Sequence, residues 1–213
     1  MDTKHTNVLD SFHYHGSALR WLGRYIFGTM DKGIIYKPDR SRGLEVFVDA
    51  DFSGNWNRDD TENPDTARSW HGYIICYAGL PIIWKSQLQS EIALSTTEAK
   101  YTGLSYSLRE AIPIMNLLKE MKKMGIEVNT SKTKVHIKVF EDNARAIKIA
   151  KEKKYRPRTK HLNCRLHHFR YHVEVTREIS IHKINTEDQP ADILTKPLGE
   201  EAFCQHRKTV MGW

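Results

Sequence analysis

The sequence predicts an α/β layer fold with a mixed sheet. Segments of alternating apolar and polar residues, the mark of half-buried strands, are interspersed with stretches whose apolar residues recur every three or four positions, the mark of amphipathic helices. Two apolar runs around Gly79-Leu80 make a hairpin, which is antiparallel. Later strand–helix–strand successions call for crossovers between parallel strands. The order along the 213 residues is strand, hairpin, helix, strand, helix, helix, strand, helix, which suits one α/β domain with an appended piece. A chain of this size buries about 70% of its unfolded surface and needs no disulfides to do so.

The elements follow in order. His15 to Met30 is a helix, with Leu19, Leu22, Ile26 and Phe27 at helical spacing, and Gly33 and Pro38 close that segment. Arg40–Gly43 is a linker. Leu44–Asp51 is a strand ending in acids, with Val46 and Val48 on one face and Glu45, Phe47, Asp49 and Asp51 on the other. Asn55 to Ser69 is polar and turn-rich, hence a loop. Tyr73–Ala78 and Pro81–Lys85 form the hairpin.

Ser95 opens a long helix to Met124, and Ser95-x-x-Glu98 has the form of a capping box. Pro113 should kink or split that helix, and Gly125 ends it. Val135, Ile137 and Val139 alternate with His136 and Lys138, a strand that runs into Glu141-Asp-Asn143. Ala144–Ala150 is a short helix and His161–Thr176 another. Ile179–Ile184 alternates as a strand. Asp188-Gln-Pro190 opens a last short helix through Leu194.

Charge is unevenly placed. The net +7 comes from 33 Lys+Arg against 26 Asp+Glu, which points to a polyanionic partner, nucleic acid before membrane surface. From Lys151 to Tyr171, Lys151, Lys153, Lys154, Arg156, Arg158, Lys160, Arg165 and Arg170 face one acid, Glu152, so this segment holds the whole excess. Glu45 to Asp65 is the reverse, with seven acids against Arg58. Acids beside a polyanion-binding strip suggest carboxylates kept for metal. A plain solvated face is the competing reading of a basic run. The longest apolar stretch, Ile74 to Trp84, is far short of the roughly 20 residues that span a bilayer, so no membrane partner is expected. The polar, histidine-bearing N-terminus is no secretory signal. Three scattered cysteines, Cys76, Cys164 and Cys204, read as reduced thiols in an intracellular setting.

Four carboxylates stand at element ends: Asp49, Glu98, Asp142 and Asp192. Strand ends and helix starts form the functional face of α/β sheets, and acids without supporting His or Cys suit Mg²⁺ or Mn²⁺. Two such ions can activate a water and stabilise a leaving oxygen in phosphodiester cleavage. Each acid also has a purely local reading: Glu98 as the partner of Ser95, Asp192 on a helix dipole, Asp142 as a turn or cap residue. Asp51 shares a strand face with Asp49.

Six motifs occur in order: Val48-Asp-Ala-Asp-Phe-Ser-Gly54, Arg68-Ser-Trp-His-Gly-Tyr-Ile74, Ile92-Ala-Leu-Ser-Thr-Thr-Glu-Ala-Lys-Tyr101, Glu141-Asp-Asn143, Thr159-Lys-His161 and Thr186-Glu-Asp-Gln-Pro-Ala-Asp-Ile-Leu-Thr-Lys-Pro-Leu198. Together they resemble the ribonuclease H domain of Ty1/copia-type retrotransposon polyproteins. Ala18-Leu-Arg-Trp-Leu-Gly-Arg-Tyr25 and Gly28-Thr29 look like the tail of the reverse transcriptase that precedes it. The resemblance implies a reverse transcriptase remnant over residues 1–37, a ribonuclease H-like domain over 38–199 with a mixed five-stranded sheet flanked by helices, and a C-terminal tail over 200–213.

The activity implied is endonucleolytic hydrolysis of the RNA strand of an RNA–DNA hybrid, with two Mg²⁺ or Mn²⁺ ions. Asp49, Glu98, Asp142 and Asp192 would be the catalytic and metal-binding acids, with Asp51 the alternative to Asp49. Lys151, Lys153, Lys154, Arg156, Arg158 and Lys160 would contact hybrid phosphates. The reverse transcriptase of the same polyprotein would be a partner, and the setting a cytoplasmic retrotransposon particle and the nucleus.

The sequence also departs from the family. Lys100 stands where a second Glu is usual, a position expected to lie outside the metal site. Pro113 interrupts a helix that is usually continuous. No residue clearly matches the loop histidine of cellular ribonucleases H, and His182 reads as part of a strand. His161, Cys164, His167, His168 and His172 invite a zinc reading, but one helix cannot point all five at one ion. The alternative function is a non-catalytic nucleic-acid-binding remnant of such a polyprotein.

Overall fold

A computed structural model describes residues 4–56, 62–130, 134–151 and 167–213, with side chains from residue 16 on, His167 excepted. The chain divides into two units, residues 1–34 and 35–213. The first holds helix α1, Lys4–Phe27. It starts well before the helix expected from residue 15.

The second unit is built on a five-stranded sheet in the order β3-β2-β1-β4-β5. The strands are β1 Leu44–Asp51, β2 Trp70–Tyr77, β3 Leu80–Leu88, β4 Ile137–Glu141 and β5 Ile179–Lys183. β1 pairs antiparallel with β2 and parallel with β4, and β4 pairs parallel with β5. This is the mixed sheet of a ribonuclease H-like fold. The β2–β3 hairpin turns at Ala78 and Gly79, both at positive φ (52° and 79°), the backbone of the tight hairpin turn whose twist matches its strands.

Helix α2, Thr96–Lys123, lies on one sheet face. Its Tyr101, Leu104, Leu108, Ala111, Met115 and Leu118 recur at alternating three- and four-residue steps, a single apolar stripe. They bury against Val46, Val48, Tyr73, Ile75, Ile137, Val139 and Ile181. The expected break at Pro113 does not occur, and α2 runs through it. Pro113 sits on the exposed side, where the carbonyl that loses its intrahelical donor can bond water instead. Gly125 takes the left-handed conformation (φ 81°) that ends the helix. The stretch expected to be helical over 161–176 contains a 3₁₀ turn, His167–Phe169, and a short helix, Arg170–Glu174. The C-terminal residues form a further helix, Glu200–Met211.

His71 on β2 is 1% exposed. Its ring stacks on Tyr106 at 4.7 Å, and neither ring nitrogen has a hydrogen-bond partner among the described residues. Burial, aided by the charge of Lys85, lowers its pKa from 6.5 to about 4. The unfolded chain therefore binds more protons between these values, so folding stability falls as pH drops from about 6.5 to about 4 and then levels. The slope approaches 1.4 kcal/mol per pH unit. Chemical denaturation at pH 7 and pH 4.5 should show a smaller loss for His71→Phe than for the wild type.

Candidate functional site

β1 and β4 are parallel neighbours, so their C-terminal ends lie side by side, the place where α/β sheets gather functional groups. Asp49 stands near the end of β1, and Asp142 follows directly after β4. Asn143, not Asp142, caps the next helix, α3 (Ala144–Lys151): its Oδ1 accepts from the N–H groups of Arg145 (2.9 Å) and Ala146 (3.0 Å). The capping alternative for Asp142 is thereby removed, and its carboxylate is left for the site.

The third acid arrives on the 3₁₀ segment Pro190–Leu194. Gln189 seats that segment. Its buried amide Nε2 donates to Val48 O (3.0 Å) and Phe140 O (3.3 Å), joining β1 to β4 where their ladder ends. Gly72, opposite Asp49 on β2, makes the approach possible. A Cβ at Gly72 would lie 2.6 Å from Leu194 Cβ and 2.9 Å from Thr195 Cγ2.

Asp49, Asp142 and Asp192 thus come together, and two lysines lie among them. Lys100 Nζ donates to Asp49 Oδ1 and to Asp142 Oδ1, each at 2.5 Å, and stands 4.0 Å from Glu141 Oε1. Lys196 Nζ is 2.9 Å from Asp192 Oδ2 and 3.4 Å from Asp49 Oδ2. Thr195 Oγ1 donates to Asp49 Oδ2 (2.5 Å), and Thr186 Oγ1 to Asp142 Oδ2 (3.1 Å). Every carboxylate oxygen of Asp49 and Asp142 therefore has a donor from the chain itself. Asp192 Oδ1 is buried without one among the described residues.

Lys100 is a correction to the sequence reading, which put it outside the site. It lies one turn before Leu104 on the buried stripe of α2 and is 6% exposed. A lysine in an apolar stripe was the available signal, since lysines are rarely buried without a partner. Glu98 is two residues earlier, about 200° round the helix, so the two side chains face different ways. Ser95 Oγ accepts from Glu98 N (3.2 Å), and Glu98 Oε2 accepts from Leu94 N (2.9 Å). That is the helix-start role the local reading gave it. Asp51 lines a cavity of about 310 Å³ with Trp70 and Ser86, and Thr195 and Lys196 of the site also line it. Gln189, Thr195 and Lys196 are further site residues that sequence reasoning passed over.

The pKa directions follow the ion pairs. Burial works to lower that of Lys100, but the charges of Asp49 and Glu141 and the hydrogen bonds to Asp142 and Asp49 outweigh it, and the value rises. Burial works to raise Asp142, but Lys100 holds it below the usual carboxylate value. Burial pushes Glu141 well above its ordinary value, against the pull of Lys100. Asp192 is raised to about 6 by burial and the Asp49 charge, despite Lys196. With Glu141 held toward its neutral form, two ammonium groups face three carboxylates.

The two divalent ions implied by the resemblance do not fit this donor set. Both oxygens of Asp49, both of Asp142 and Oδ2 of Asp192 are bonded to ammonium or hydroxyl groups of the chain. Among the described residues no group of three or more His, Cys, Asp or Glu is placed to hold a metal.

Other expectations fall elsewhere. Lys151 ends α3, whereas Lys153, Lys154, Arg156, Arg158, Lys160, His161 and Cys164 lie outside the described residues, as does the side chain of His167. His172 Nδ1 is 3.1 Å from Glu178 Oε2. His182 is on β5, its Nε2 2.7 Å from Ser180 Oγ. Among the described residues no helix is long and apolar enough to cross a membrane.

No family model matches the chain. It is 32% identical over 189 residues, 89% of its length, to the retrovirus-related Pol polyprotein from transposon TNT 1-94 of Nicotiana tabacum. To the corresponding polyprotein from transposon RE2 of Arabidopsis thaliana it is 33% identical over the same share. The chain is homologous to a segment of copia-type Pol polyproteins. The chain spans 13% and 12% of the length of those two relatives. Among solved structures it is similar to the N-terminal RNase H domain of a Mycobacterium tuberculosis protein, with a TM-score of 0.46 and 13% identity over 79% of this chain and 98% of that one. The sheet of this chain carries central acids that are bonded by lysines of the chain itself.

Proposed function

We propose that this chain is a non-hydrolytic nucleic-acid-binding domain of retrotransposon origin, which holds RNA–DNA hybrids by their phosphates without cutting the RNA strand. The observation that carries the reading is the Lys100 ammonium bonded to both Asp49 and Asp142. Two-ion hydrolysis needs those carboxylate oxygens for cations. Pol homology, the ribonuclease H-like fold and the positive charge gathered between Lys151 and Tyr171 support a hybrid ligand. The reverse transcriptase of the same polyprotein is the partner this reading names.

The test is a labelled RNA–DNA hybrid incubated with the full chain and Mg²⁺ or Mn²⁺. Retention of hybrid on a filter with no new 5′-phosphate ends is the expected result. Affinity should fall steeply with salt, and reversing charge at Lys153, Lys154 and Arg156 should weaken it further. Metal-dependent cleavage that Asp142→Asn abolishes would establish the hydrolytic alternative instead.

A further inference from the structure

Two ways of balancing clustered carboxylates are open to a protein: bind cations from solution, or supply cationic side chains. Here the second is built. Lys100 Nζ sits at hydrogen-bond distance from one oxygen of Asp49 and one of Asp142. A hard divalent ion bridging the same pair would use the same lone pairs, at about 2.0–2.1 Å for Mg²⁺. Thr195, Thr186 and Lys196 engage the remaining oxygens of Asp49 and Asp142. Among the described residues Asp192 Oδ1 and Glu141 Oε2 are buried without a donor, and one oxygen on each of two carboxyl groups does not make a site for an ion that takes several.

We propose that Lys100 is a resident counter-ion. Its ammonium takes the place between Asp49 and Asp142 that a divalent cation would need, so the folded chain binds no such ion there. Substitution of this one residue by glutamate opens a divalent-cation site. Lys100→Glu would free Asp49 Oδ1 and Asp142 Oδ1 and add a third carboxylate beside them, an all-oxygen donor set suited to Mg²⁺ or Mn²⁺. This deepens the non-hydrolytic reading and rests on the same two contacts.

The experiment titrates Mn²⁺ alone into the full chain, with free Mn²⁺ read by electron paramagnetic resonance and thermal melts recorded in EDTA and in MnCl₂. The wild type is expected to melt at the same temperature in both. Lys100→Glu is expected to bind Mn²⁺ roughly tenfold or more tightly than the wild type, since a like charge is removed and an opposite one added at the site. Its melting temperature should rise with Mn²⁺. Lys100→Met guards against a variant that fails to fold: it should melt below the wild type in EDTA and recover part of the difference with Mn²⁺.

Stoichiometric Mn²⁺ binding by the wild type, lost in Asp142→Asn, would overturn the inference. So would folded Lys100→Glu and Lys100→Met chains that bind no Mn²⁺. The two readings fail separately. Mn²⁺ binding by the wild type without hybrid cleavage removes the counter-ion inference alone. Hybrid cleavage in EDTA, with no Mn²⁺ bound, removes the non-hydrolytic reading alone.

Discussion

Lys100→Met is expected to lower folding stability by about 3–5 kcal/mol, the range for removing one partner of a buried ion pair. The lysine is 6% exposed and Asp49 is fully buried. Methionine keeps the length of the side chain and its packing on α2, so the loss reports charge and hydrogen bonding, not a cavity. Asp49 would keep Thr195 and Lys196 as partners, whereas Asp142 would keep Thr186. Glu141 would lose its nearest cation. A double variant, Lys100→Met with Asp49→Asn, removes one stranded charge as well. It should be more stable than the sum of the two single changes predicts, because residues in one ion-pair network do not add. Urea unfolding of the four proteins at pH 7 gives the coupling directly. Additivity within a few tenths of a kcal/mol would mean that the pair does not interact in the folded chain.

Gly72→Ala is expected to cost about 1–3 kcal/mol, the usual penalty for forcing a methyl group into a packed interior. The new carbon would meet Leu194 Cβ and Thr195 Cγ2, atoms next to the backbone of the docked segment. Neither can swing away as the tip of a long side chain would. Relief requires the whole Pro190–Thr195 stretch to lift from β2. That movement would separate Thr195 and Lys196 from Asp49, so the site should loosen along with the fold. Hydrogen exchange across residues 189–196 should accelerate more than exchange in α2. Equal acceleration in both would point to global destabilisation alone.

Much of the fold was legible because its signals are local. β1 ends where its alternation ends, and α2 shows its apolar stripe, its Ser95 cap and its Gly125 stop in the sequence itself. Pro113 misled because propensity says nothing about which way a residue faces, and on the solvent side a missing donor is tolerated. The site was only partly legible. Asp49, Asp142 and Asp192 stand at element ends and could be picked out there. Glu98 stands at one too, and its bonds with Leu94 and Ser95 secure the start of its helix. The role of Lys100 could not be read from its neighbours, since Asp49 lies 51 positions away and Asp142 lies 42. Gln189 and Thr195 were missed for the same reason, as polar residues whose partners are carbonyls or carboxylates on distant strands.

The Gln189 tether also bears on the order in which the chain assembles. The hairpin and its pairing with β1 close short loops, which form early because little chain entropy is lost. The contact between Gln189 and Val48 spans 141 positions, and only after it forms are the ends of β1 and β4 held together beyond their ladder. Asp49 and Asp142 can then draw Asp192 and its lysine into place. The acid cluster should therefore be the last feature to form during folding and the first to come apart.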